Sequence, residues 1–124
     1  MHINSIKNVS FGLIINDDVN NLLARSEKEI AKLGSKEKSL WRRNVKTLPE
    51  TAPDNYTLFT EDYRKLGEKQ PLKIMLQIPN GCKFTLKELF NDEILNRSDI
   101  KYIKKQIRAQ KKTYEDPHTL YVFF

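Results

Sequence analysis

The sequence predicts an α+β fold: a single domain with a mostly antiparallel sheet of about four strands and three to four helices on one face. Three observations carry that expectation. Residues 72–78 alternate strictly, Leu72, Ile74, Leu76 and Ile78 against Lys73, Met75 and Gln77, which is the pattern of a half-buried strand. From Val19, the apolar residues Leu22, Leu23, Ile30 and Leu33 recur at helical spacing. The whole chain then orders as β-α-(α)-β-β-α-α-β, without the strict alternation of a parallel α/β sheet. At 124 residues with 39% hydrophobic content, the chain is the size of one self-sufficient domain.

In chain order, residues 10–15 (SFGLII) are a strand-forming run too short for a helix. Asp17 or Asp18 is placed to cap the helix that follows, and Gly34 to stop it. Residues 35–48 fit either period. Leu40, Trp41, Asn44, Val45 and Leu48 share a helical face, whereas Trp41, Arg43, Val45 and Thr47 could alternate. Helix is favoured because Ser35 offers a cap directly after the glycine. Residues 49–55 are a loop by composition, and residues 56–62 (YTLFTED) read as a strand. Residues 63–71 are long for a tight hairpin but compatible with antiparallel pairing, and Pro79-Asn80-Gly81 makes a turn. For residues 85–96, Thr85 with Glu88 has the spacing of a capping box and Phe84 that of a staple onto Leu89, which predicts a helix. Ser98 restarts a helix with Asp99 in its first turn, and Asp116-Pro117 ends it. The final TLYVFF (119–124) reads as an interior strand.

Charge is the strongest functional signal. Residues 97–112 hold seven cations, Arg97, Lys101, Lys104, Lys105, Arg108, Lys111 and Lys112, against the single carboxylate Asp99. That segment alone equals the formal net charge of +6 for the whole chain. On a helical wheel Ile100, Ile103 and Ile107 form one stripe, joined by Tyr114 if the helix extends so far. The cations fill a contiguous arc of roughly 120° beside it. The like-charged pairs at one-turn spacing cost such a helix about 1–2 kcal/mol at low salt. The arrangement therefore points to a polyanionic partner, either nucleic acid or an acidic protein surface, as well as to a plain solvated face. Lysines dominate, which suits holding phosphates more than reading bases. A second cluster, Lys36, Lys38, Arg42, Arg43 and Lys46 around Trp41, suits single-stranded nucleic acid if the indole is exposed, and a core role if it is buried.

Chemistry for catalysis is sparse. His118 is the one histidine away from the N-terminus, and a metal-independent, toxin-like ribonuclease could use it as acid or base. An ordinary loop histidine fits as well. A third reading is an inhibitor or adaptor that binds through its sheet and loops. Cys82 stands alone, so no intrachain disulfide forms, and a reducing compartment is expected. The acidic doublets lack a metal-site context, the glycines make no phosphate loop, and no cofactor is expected. The N-terminal run is a poor signal peptide and no segment approaches a membrane span, so a cytoplasmic protein without a membrane partner is expected. A non-enzymatic binding or regulatory domain acting through residues 97–112 is the leading expectation.

Overall fold

A computed structural model describes residues 12–116. Strand β1 (Ile14–Ile15) leads into helix α1 (Asp17–Ala31) and helix α2 (Ser35–Lys46), followed by a 3₁₀ turn at Leu48–Thr51. Strands β2 (Thr57–Asp62), β3 (Leu72–Gln77) and β4 (Lys83–Leu89) come next, then helix α3 (Arg97–Glu115). The four strands form one sheet in the order β1-β2-β3-β4. The class is α+β as expected, but the sheet is mixed. β1 runs parallel to β2, while β2-β3 and β3-β4 are antiparallel. Two helices and a long loop separate β1 from β2, a connection long enough for the crossover that parallel strands require.

The helices do not all lie on one face of the sheet. α1 contacts β2 and α3 contacts β4, whereas α2 packs chiefly on the other two helices. Its one buried residue explains this. Trp41, 3% exposed, inserts between α1 and the loop before α3, where its indole N–H donates to Leu95 O at 2.8 Å.

α1 buries Val19, Leu22, Leu23, Ser26 and Ile30. Its N-cap is Asn16, not either aspartate. Asp17 and Asp18 occupy the first turn, where the helix dipole favours them. Asp18 also ties the helix to the sheet, since its carboxylate accepts from Thr60 N at 3.1 Å and Thr60 Oγ1 at 2.8 Å. Leu33, expected on the buried stripe, falls past the helix end and is 67% exposed. Gly34 sits at φ 120° as the N-cap of α2, so the chain turns there through a conformation glycine alone adopts easily. Residues 35–46 are helical as favoured, with Ser35 as first residue, not cap.

The largest departure concerns residues 83–96. The expected helix over 85–96 is instead strand β4 and a loop. The turn at Ile78–Cys82 closes with Gly81 N to Ile78 O at 2.9 Å and Ile78 N to Cys82 O at 3.0 Å. That turn delivers Lys83 opposite Gln77, and the ladder continues to Leu72 opposite Leu89, with a bulge beside Ile74 and Met75. Thr85 and Glu88 match the capping-box spacing only by coincidence. The reciprocal box is one element later, where Asn96 Oδ1 accepts from Asp99 N and Asp99 Oδ2 from Asn96 N, both at 2.9 Å. The fourth strand is thus β4. The strand expected at 119–124 lies outside the described residues, as do Ser10 and Phe11 of the first run.

The core gathers Leu58, Ile74, Leu76 and Leu89 of the sheet with Val19, Leu22, Ile100, Ile103 and Ile107 of the helices. One backbone contact beside it is unusually close. A Cβ on Gly12 would lie 2.1 Å from Pro49 O, in the stretch where Leu13 N donates to that same oxygen at 2.9 Å. Gly12→Ala therefore pushes β1 away from the 3₁₀ turn. A loss of about 1–3 kcal/mol is expected, read as a lower urea midpoint with unchanged m-value.

Candidate anion-binding face

α3 begins at the Asn96/Asp99 box and docks through Ile100, Ile103 and Ile107, all buried. Its entry is held from two sides. Leu95 N donates to Ser26 Oγ at 3.0 Å while Leu95 O accepts from Trp41. Arg25 Nη2 adds a bond to Glu93 O at 3.1 Å, and Arg64 Nη1 one to Asn91 O at 3.1 Å. Asp99, the segment's only acid, is occupied by its cap and by Lys87 Nζ at 3.3 Å. It does not neutralise its own helix's cations.

The seven cations do not behave alike. Lys104, expected on the open arc, is 7% exposed. Its Nζ donates to Asn44 O at 2.8 Å and also to Thr47 Oγ1, so it caps the C-terminal end of α2. Burial, and then the charge of Arg108, lower its pKa, against an opposing pull from Glu50. The wheel placed Lys104 beside the isoleucines, and the packing of α2 against that flank covers it. Lys111 bonds Glu115 at 2.8 Å. This contact holds the Glu115 carboxyl below its ordinary range. Glu115 in turn accepts from Tyr56 Oη at 3.3 Å, and burial, then the Glu115 charge, push the Tyr56 phenol up to about 12. Tyr114 does not join the buried stripe; it stands exposed, edge-on to Tyr56 at 6.3 Å.

Lys101, Lys105, Arg108 and Lys112 remain exposed, and Arg97 half-buried, none with a carboxylate partner among the described residues. The spacing of four, three and four residues between Lys101 and Lys112 averages close to one turn. The four cations therefore form a nearly straight line, within an arc of about 60° and about 16 Å long. On the side away from Lys104 stands Tyr102, 47% exposed, with Lys87 Nζ over its ring at 5.9 Å. The sequence reading missed both residues. The only signal available was an aromatic next to Lys101 in an otherwise polar helix.

The second cluster disperses. Trp41 is in the core, Lys38 is half-buried, and Arg42 pairs with Glu27. Arg43 is exposed and stands one turn before Thr47, on the side of α2 that Lys104 reaches.

Elsewhere, a cleft of about 300 Å³ between α1 and β2 contains Asp18, Arg25, Thr60, Asp62 and Arg64. Both Asp62 oxygens accept from Arg64, at 2.9 and 2.8 Å, and those bonds bring the Asp62 carboxyl down to about 2. Its acids are therefore engaged internally. The outer side of the sheet carries Lys83 over Phe59 at 5.5 Å and Lys73 over Tyr63 at 5.2 Å, with Glu61 and Glu88 in register with Lys73 on either side. His118 lies outside the described residues. Among those described, no three His, Cys, Asp or Glu side chains gather as metal ligands, and no helix is long and apolar enough to cross a membrane. Comparison with known proteins finds no matching family model, no matching curated protein and no matching solved structure.

Proposed function

We propose that this chain is a non-enzymatic binding protein that lays the exposed face of α3 along the phosphate backbone of nucleic acid. The supporting observation is the line Lys101, Lys105, Arg108 and Lys112, open to solvent and without a carboxylate partner among the described residues, on a helix firmly fastened to the core. Like charges at one-turn spacing oppose helix stability, and a dense run of phosphates relieves that repulsion while releasing its own counterions. Four lysine and arginine contacts position a backbone without specifying sequence, so broad sequence tolerance is part of the reading.

The test is a salt series. With about four phosphate contacts, log K against log salt should fall with a slope of about −2.8 for single strands and about −3.6 for duplex. Fluorescence anisotropy with mixed-sequence RNA and DNA oligonucleotides from 50 to 300 mM salt measures it. A flat slope, or no binding at the lowest salt, overturns the reading. In the latter case an acidic protein surface is the remaining partner for the same face.

A further inference from the structure

The line of cations does not itself distinguish duplex from single-stranded nucleic acid, but the side chain next to it does. We infer that Tyr102 is a base-stacking residue, and that the chain prefers single-stranded nucleic acid to duplex. This inference rests on the α3 reading above. Tyr102 follows Lys101 directly and precedes Lys105 by three residues, so a strand whose phosphates lie on those two lysines passes its bases beside the phenol ring. Tyr102 is 47% exposed. Its neighbours one and two turns away on the same side of α3 are Ser98, Gln106 and Ala109, short or uncharged side chains that leave it accessible. Asp99, the acid one turn before Tyr102, is engaged by Lys87 and by its cap.

The ring is also supported from below. Lys87 reaches across from β4 to place its ammonium over one face at 5.9 Å, and Asp99 fixes that ammonium at 3.3 Å. A cation thus stands over one face of the ring, and the exposure of Tyr102 leaves room for a base to stack on it. Stacking on an aromatic is available to any base that is unpaired, and closed to bases already stacked within a duplex. Three cations around one exposed ring reproduce the pairing of electrostatic track and stacking platform that single strands require.

The experiment uses the full chain at one low salt concentration, with a labelled 14-nucleotide single strand and the same strand annealed to its complement. The wild type should bind the single strand more tightly than the duplex. Tyr102→Ala should weaken single-strand binding roughly five- to hundredfold, with the salt slope and the duplex affinity unchanged. Tyr102→Phe should retain wild-type binding, since the stacking face persists. Circular dichroism melts confirm that both variants are folded. If Tyr102→Ala binds the single strand as the wild type does, or the wild type favours duplex, the stacking role is overturned while the α3 reading survives. If the wild type binds neither form, both are overturned together.

Discussion

Replacing Lys101, Lys105 and Arg108 together by glutamate should reduce nucleic-acid affinity by at least about a hundredfold, taking about 1 kcal/mol per cation close to a polyanion. The triple variant converts three attractions on the exposed line into three repulsions, leaving Lys112 and the half-buried Arg97 to oppose them. The fold should survive the change. All three side chains are exposed and none has a partner among the described residues, so only small stability effects are expected at each. Three of the like-charged pairs at one-turn spacing, Arg97 with Lys101, Lys104 with Arg108 and Arg108 with Lys112, even become attractive ones. Anisotropy measures the loss and a thermal melt checks the fold. A folded triple variant that binds like the wild type would show that the basic face is only solvated surface. Lys104 is deliberately left out. It lies on the same helix and carries the same charge, but its ammonium holds Asn44 O and Thr47 Oγ1, so changing it tests packing instead of binding.

The second large effect is on stability. Trp41→Ala should cost about 3–5 kcal/mol for the lost indole and about 1–3 kcal/mol more for the unpaired Leu95 carbonyl. Against a total of about 5–15 kcal/mol for a domain of this size, the variant sits at the edge of unfolding at room temperature. Trp41→Phe separates the two contributions. It keeps most of the ring packing and removes the N–H, so a loss of about 1–3 kcal/mol is expected in urea denaturation. Nucleic-acid affinity of the folded fraction should be unchanged by Trp41→Phe. A drop in affinity at constant stability would instead indicate an indole that contacts bases, contrary to its burial at 3% exposure.

Elements defined by their own periodicity were legible. The alternation of residues 72–78 became β3, the stripe from Val19 became α1, and the cationic segment is helical throughout. What failed was local chemistry overruled by distant partners. Thr85 and Glu88 carry a helix-start spacing, yet the turn after Gln77 sets residues 83–89 against an existing strand, and the ladder to β3 decides their conformation. Side-chain exposure around α3 was equally out of reach. A wheel orders residues about one axis but does not locate the neighbouring helix, so Lys104 and Lys105, adjacent in sequence, were read as equivalent. The end of α2 covers the first and leaves the second in water. The support of Tyr102, Lys87, comes from strand β4, where the local sequence predicts a helix.

The grip on Leu95 has a consequence for how α3 meets a partner. With its amide held by Ser26, its carbonyl by Trp41 and the preceding turn by Arg25 and Arg64, the helix has no hinge at its entry. Under the proposed reading, a nucleic acid would meet a pre-shaped rod whose backbone is already ordered, and association would restrict only the rotamers of a few long side chains, at about 0.5–1.5 kcal/mol each. Even a short row of charges can then bind usefully, because little conformational entropy remains to be lost on complex formation.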